Sequence, residues 1–360
     1  MKAVAFSEHG PVDVLQYQDF PDPVAGKNKV IVDVEYCGVN HLDIWTHMGV
    51  AGKKIRLPHI CGCDIVGKVK GQRVMVYPGV SCGKCQHCKS GHETLCGEFA
   101  IIGGMSDWNG GYAEKVAVPA RNVIKLPPAL KSETAATLAV SYLVAWNMLK
   151  TNGAGKGKTI LVYGATSGVG MATIQLAKAL GAKVITTVSG DEKRKFAVKL
   201  GACYIIDRTS QNIVEEVKKV APAGVDIVID HVGAATWPTS VAALKQGGRM
   251  AVCGMTSGND AAIPVRTFYS KQIVMTGALL GTKAQLQELT RFVVRKKIKP
   301  VIDSVLPLWD AKQAQRKMES NQHMGKILLK CRGISALVIH CRQDREFPLP
   351  YRRCLPSAGP

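Results

Sequence analysis

Thr159-Ile160-Leu161-Val162-Tyr163 runs into Gly164-Ala165-Thr166-Ser167-Gly168-Val169-Gly170, and residues 171–180 follow. The opening run is apolar and β-branched, as in a parallel strand buried on both faces. Beyond the glycines, Val169, Ala172, Ile174, Leu176, Ala177 and Leu180 recur at helical spacing. In the turn, Gly164 permits a sharp exit from the strand. Gly168 lets backbone N–H groups approach a pyrophosphate, and Gly170 lets helix and strand pack closely. The start of the helix adds a partial positive charge. A second apolar strand, residues 183–188, comes next. Strand, glycine turn, helix and strand in this order predict a dinucleotide-binding unit.

Around this unit the chain has 360 residues, enough for two domains with their own cores. Its 46% hydrophobic content is ordinary for a globular protein. No apolar run is long enough to span a bilayer and no basic-then-apolar leader opens the chain, so a cytoplasmic location is expected, with no membrane partner. The net charge is +20. The basic residues are spread along the chain and no nucleic-acid motif accompanies them. We therefore expect a basic surface serving an anionic cofactor and substrate rather than specific nucleic-acid binding.

Four of the twelve cysteines fall in one pattern, Cys82-x-x-Cys85-x-x-Cys88 followed by Cys96. Four thiolates at this spacing suit a closed tetrahedral zinc site with no open position, which stabilises a lobe and does no chemistry. An iron–sulfur cluster is the competing occupant. The other cysteines are scattered, as in a reducing compartment.

The glycine turn has one more residue between its first and middle glycines than the G-x-G-x-x-G pattern. In that form it resembles the quinone-reductase branch of the medium-chain dehydrogenase/reductase family. The four-cysteine segment also resembles that family's structural-zinc lobe, and the resemblance extends from residue 1 to about 330. It implies two units. The first is a β-rich, GroES-like barrel over residues 1–140 and 296–330, with the lobe at about 78–100. The second is a doubly wound, parallel-sheet Rossmann domain over residues 141–295. Residues 331–360 match nothing in the family and are expected to be a disordered tail.

The resemblance also implies site residues. Cys37-Gly38-Val39-Asn40-His41-Leu42-Asp43 looks like the family's loop at the active-site cleft, with Asn40 where zinc alcohol dehydrogenases carry a zinc-ligating cysteine. Asparagine is a poor zinc ligand but a good donor and acceptor. Cys63 and Asp64 stand where those enzymes have histidine and glutamate, and Val140 stands near the third ligand position. Loss of the catalytic zinc is expected, while an unconventional metal site using His59, Cys63 and Asp64 stays open. Residues 65–74 are shorter than their family counterpart, which leaves the local barrel geometry open.

For the cofactor, the family likeness places His41 at the pyrophosphate. Gly164, Thr166, Ser167, Gly168 and Val169 form the cradle. His231, Val232, Gly254 and Leu279 sit at strand ends that face the binding crevice, and Lys326 reaches the cofactor. No carboxylate follows the second strand, where NAD enzymes hold the ribose 2′-hydroxyl; Ser189, Lys193 and Arg208 could hold a 2′-phosphate instead, so NADP(H) is expected over NAD(H). Ser132 reads as the N-cap of a helix running to about residue 150 that crosses between the domains and brings Ser141 and Val144 near the nicotinamide. The expected activity is hydride transfer between NADPH and a ketone, aldehyde, quinone or enone by a homodimer or homotetramer. A zinc alcohol dehydrogenase with a rearranged site, and a non-enzymatic protein binding NADPH and nucleic acid, remain as alternatives.

Overall fold

The computed structural model describes residues 1–50 and 55–332. Six strands form one all-parallel sheet in the order Tyr204–Asp207, Lys183–Val188, Thr159–Val162, Val225–Asp230, Leu244–Val252, Val274–Gly277. The chain starts in the middle, winds outward one way and then returns to wind the other way. The reversal lies between Thr159–Val162 and Val225–Asp230, the place where such sheets open a crevice for a ligand. The two strands read from the sequence, residues 159–163 and 183–188, are observed as Thr159–Val162 and Lys183–Val188, and Ile160, Leu161 and Val162 are wholly buried, as strands covered on both faces must be.

The second unit is β-rich. A seven-stranded sheet runs in the order Val123–Lys125, Gln72–Val76, Asp64–Val69, Lys29–Gly38, Lys326–Lys330, Ile302–Pro307, with Lys115–Pro119 also paired to Lys29–Gly38. Two of its strands therefore come from the far end of the chain. Residues 65–74 form a plain hairpin: Val69 pairs with Gln72 across Lys70 and Gly71. Both turn residues have positive φ, 48° and 82°. That is the twist a two-residue hairpin favours, and glycine at the second position makes it inexpensive. The shortened segment closes without opening the sheet.

The connection between the units differs from the single helix expected. Ser132–Ala135 is one short turn, Leu138–Tyr142 is a π-helical turn, and Leu143–Thr151 is α-helical. Ser132 is not the N-cap; its hydroxyl donates to Glu35 and accepts from Arg73, tying the segment to the β-rich sheet. Trp146 is almost completely buried, 4.8 Å from the ring of Phe292. Removing roughly 200 Å² of indole from water is worth about 5 kcal/mol, which anchors the connection in the core that both units share. The last described residues, Cys331 and Arg332, also pack on this sheet: Cys331 N–H donates to Glu35 and Arg332 pairs with Asp33. The remainder of the expected tail lies outside the described residues. Among the described residues no helix is long and apolar enough to cross a membrane.

Candidate active site

The glycine turn is built as its residues require. Gly164 has a φ of +61°. Ser167 caps the helix Gly168–Ala179, accepting from Gly170 N–H at 2.9 Å. A methyl group on Gly170 would lie 2.1 Å from the Gly164 carbonyl oxygen, so only hydrogen fits there. His231, at the end of the fourth strand, makes a 2.8 Å hydrogen bond to the Tyr163 carbonyl and lies 3.2 Å from Ser167 Oγ. Gly254 lies against His231, where a Cβ would come within 2.2 Å of the backbone oxygen. The strand ends thus close around a cradle that side chains do not fill.

Cationic groups converge on that cradle. Burial holds the His41 imidazole down to about 4, and His323, His231 and Lys326 add to the effect by their positive charge. His231 and His323 are themselves lowered by burial. Neutral, buried imidazoles beside a lysine suit a group that brings negative charge with it, as a pyrophosphate does. His323 was not among the site residues read from the sequence. Its buried Nδ1 has no hydrogen-bond partner, which is the structural signal for it. At the second strand's end, Lys193 Nζ lies 3.4 Å from Ser189 Oγ and Arg208 is exposed nearby, its N–H bonded to Val188. Asp207 also reaches this corner, but its carboxylate accepts from Gly190 N–H and from Thr209. Val232 lies in a turn held by Asp230, and Leu279 is exposed beyond the sixth strand. Thr166 accepts Gly325 N–H through its carbonyl, tying the cradle to the C-terminal strand of the other unit.

Beside the cradle lies a wholly buried polar cluster. Asn40 lies two residues beyond the strand Lys29–Gly38 and is the N-cap of a helix, His41–Met48, in the stretch read as a loop. Its Nδ2 donates to Asp64 Oδ2 at 3.0 Å, and its Oδ1 accepts from Lys326 Nζ at 2.7 Å. Lys326 Nζ also reaches Val39 O at 2.9 Å, Asp64 Oδ2 at 3.0 Å and Ser141 Oγ at 3.4 Å. The π-helical turn carries Ser141 into this cluster, and Gly168 backs it: a Cβ there would sit 2.6 Å from Ser141 Oγ and 3.4 Å from Lys326 Cδ. The polar cluster and the dinucleotide turn are therefore in contact. Asp64 Oδ1 is buried and unpartnered.

Cys63 makes no hydrogen bond to Asp64 or Lys326 in the polar cluster but is wholly buried beside Asp43. Its thiol lies 3.9 Å from Asp43 Oδ1, and burial, then Asp43, push it well up. Asp43 is buried on the helix side, accepting from Asn40 N–H at 2.8 Å and from the Tyr112 hydroxyl at 2.9 Å. Burial raises its carboxyl to about 7 against the opposing pull of those two bonds. His59 packs edge-on to Phe6 on another strand. Among the described residues, His59, Cys63 and Asp64 do not converge as metal ligands.

Cys82, Cys85, Cys88 and Cys96 do converge, with all four sulfurs within 4.8 Å of one another. Sulfurs at tetrahedral corners about 2.3 Å from a metal stand about 3.8 Å apart; here Cys82 and Cys88 are 3.8 Å apart and Cys85 and Cys88 3.5 Å. Backbone N–H groups of Lys84 and Cys85 point at Cys82 Sγ and lower its thiol to about 6. The set fits a thiophilic metal. From the same lobe, Glu93 accepts Lys283 N–H at 2.6 Å, at the start of the helix Lys283–Arg295 in the other unit.

A parallel sheet with a dinucleotide cradle, joined to a β-rich unit that supplies a polar cluster, defines a two-unit nicotinamide-dependent oxidoreductase. Family models agree: residues 26–128 match the alcohol dehydrogenase GroES-like domain and residues 168–295 match the zinc-binding dehydrogenase model. The NAD-dependent alcohol dehydrogenase of Sulfolobus acidocaldarius is 31% identical over 353 residues, covering 92% of this chain and 99% of the relative. The quinone oxidoreductase of Rattus norvegicus is 30% identical over 339 residues, covering 91% and 97%. The crystal structure of an NAD-dependent alcohol dehydrogenase superposes with a TM-score of 0.87 at 35% identity, covering 92% of this chain and 100% of that one. The chain belongs to the medium-chain dehydrogenase/reductase family of alcohol dehydrogenases and quinone oxidoreductases.

Proposed function

We propose that this oxidoreductase transfers hydride between NADP(H) and a carbonyl compound, a ketone, aldehyde, quinone or enone, without a catalytic zinc. The observation that carries the reading is the Lys326 ammonium on Asn40 Oδ1 and Asp64 Oδ2. A fixed cation already sits where zinc enzymes of the family would need ligands. The Cys63 thiol is engaged with Asp43 instead, and Val140 offers no donor.

In this reading NADPH supplies the hydride. Gly164, Thr166, Ser167, Gly168 and Val169 seat its pyrophosphate on the helix N-terminus, with His41 and His231 alongside. Ser189, Lys193 and Arg208 hold the 2′-phosphate, and the prior engagement of Asp207 by Gly190 and Thr209 favours NADP over NAD. Val232, Gly254 and Leu279 line the ribose and nicotinamide side. Residues 1–140 and 296–330 supply the substrate side, and residues 141–295 the cofactor side. One structural zinc fills the four-cysteine lobe. The strand Val274–Gly277, exposed at its two ends, ends the parallel sheet, and its open edge suits pairing with a second copy in a homodimer or homotetramer. A reducing, cytoplasmic setting fits the thiol-rich chain.

Elemental analysis after exhaustive dialysis, followed by NADPH oxidation with a panel of enones, quinones, ketones and aldehydes, tests this. One zinc per chain and turnover of at least one carbonyl class are expected. A second tightly held zinc, or turnover with NADH alone, would overturn the corresponding part. Salt-sensitive nucleic-acid binding without any turnover would favour the non-enzymatic alternative.

A further inference from the structure

The sequence reading has Lys326 reach the cofactor, and the carbonyl reading lacks a proton donor. In the structure its Nζ lies in the polar cluster beside the dinucleotide turn. We propose that Lys326 is the catalytic electrophile and proton donor of the carbonyl reduction, with Asn40 and Asp64 as its positioning residues.

An ammonium has three protons. Around Lys326 Nζ stand four oxygens: Asn40 Oδ1 at 2.7 Å, Val39 O at 2.9 Å, Asp64 Oδ2 at 3.0 Å and Ser141 Oγ at 3.4 Å. Three of them are close enough to take one proton each. Ser141 is the surplus partner, and its own hydroxyl donates to Asn40 Oδ1 at 3.3 Å. A substrate oxygen arriving on the Ser141 side takes over the proton now given to Asp64 Oδ2, which keeps its bond from Asn40 Nδ2. The ammonium cannot drift, because Asn40 accepts from it and also donates to Asp64, so carboxylate, amide and ammonium form a closed triangle. Lys326 is 2% exposed and Asp64 is wholly buried, so the positive charge acts where water does not screen it. The side chain reaches this position along the dinucleotide turn, with Cδ beside Gly168.

The step balances. Hydride, with its electron pair, forms a new C–H bond at the carbonyl carbon, or at the β-carbon of an enone, and the nicotinamide is oxidised. The π pair moves to the substrate oxygen. An Nζ–H bond of Lys326 breaks, its pair stays on nitrogen as the neutral amine, and an O–H bond forms. The products are an alcohol, or an enol that tautomerises to the saturated ketone. The amine recovers its proton from water. Asp64 Oδ1, buried and unpartnered, is the acceptor left to hold that water or a substrate hydroxyl.

The test compares wild type with Lys326→Met, Lys326→Arg and Lys326→Ala. NADPH affinity is read by the fluorescence change on binding, and kcat and KM are read with the carbonyl that the wild type turns over fastest. We expect Lys326→Met, assayed at saturating NADPH, to lose about 100-fold or more in kcat, the usual worth of a proton donor. Added ethylammonium should restore part of the rate of Lys326→Ala. Lys326→Arg keeps charge but cannot release a proton, so its kcat should also fall. Weakened NADPH binding with kcat intact would leave Lys326 a cofactor-binding residue alone and overturn the proposal. The proposal rests on carbonyl reduction. A wild type that reduces no carbonyl refutes that reading and this one together; turnover retained in Lys326→Met refutes this one alone. If Lys326→Met does not fold by circular dichroism, Lys326→Arg decides: full kcat overturns proton donation and a depressed kcat with normal NADPH binding supports it.

Discussion

Replacing Asp43 by asparagine should reshape the dependence of stability on pH. Burial, set against the Asn40 and Tyr112 hydrogen bonds, raises this carboxyl to about 7 in the folded chain. An unfolded aspartate titrates at about 3.9. Between those values the folded state holds a proton that the unfolded state has lost, so stability must fall as pH rises. The slope is about 1.4 kcal/mol per pH unit. Over about three units it accumulates to about 4 kcal/mol, fully present as a penalty above about pH 7 and absent below about pH 4. Asparagine retains an acceptor for the Asn40 N–H and the Tyr112 hydroxyl but does not titrate. Urea unfolding of wild type and Asp43→Asn, measured side by side from about pH 4 to 8, isolates the group, since every other titration is common to both. The difference should move by about 4 kcal/mol in favour of the variant as pH rises. Infrared spectra near pH 6 should carry the carbonyl stretch of an un-ionised acid in wild type only. Parallel stability curves, or a wild type that gains on the variant with rising pH, would show that Asp43 is ionised in the fold and would refute the argument.

Three further outcomes follow from the same geometry. NADPH binding should take up about one proton near pH 6, because a bound pyrophosphate raises imidazoles that burial now holds down, His41 at about 4 among them; affinity should rise from about pH 7 to 5, and calorimetric heats that do not depend on the buffer would contradict this. Gly170→Ala should cost about 2–4 kcal/mol and weaken NADPH binding, since its methyl group meets the Gly164 carbonyl at 2.1 Å; an unchanged thermal midpoint would count against the close packing. Cys85→Ser or Cys96→Ser should release the lobe's metal, lower the melting temperature and open the segment 82–96 to proteases; retention of one zinc per chain would place the metal elsewhere.

Much of the fold was legible because it is written in local pattern. The strands Lys183–Val188, Tyr204–Asp207 and Val225–Asp230 stand out as apolar runs between glycines and charged helices. Cys82, Cys85, Cys88 and Cys96 announce themselves by spacing alone. What escaped was decided by partners distant in sequence. The π-helical turn at Leu138–Tyr142 leaves no signature in its own composition, and it carries Ser141 to Asn40 and Lys326. Ser132 has the chemistry of a helix cap, but Glu35 and Arg73 compete for its hydroxyl and win. Lys326 was recognised as a site residue, yet its direction depends on Asp64, 262 positions earlier, which no window of sequence contains.

That separation has a consequence for how the protein is made. The ribosome releases Asp64 and Asn40 long before Lys326, and the strands Ile302–Pro307 and Lys326–Lys330 are the last described strands to emerge for a sheet whose other members were among the first. Until they arrive, the nascent β-rich unit holds a carboxylate without its counter-ion and a sheet with an open edge beside Lys29–Gly38. The cofactor unit, whose strands are consecutive along the chain, has left the ribosome complete by then. Vectorial synthesis thus orders the assembly: the nucleotide cradle comes first and the polar cluster second. A chain truncated before Lys326 carries an intact glycine turn but cannot complete the site beside it.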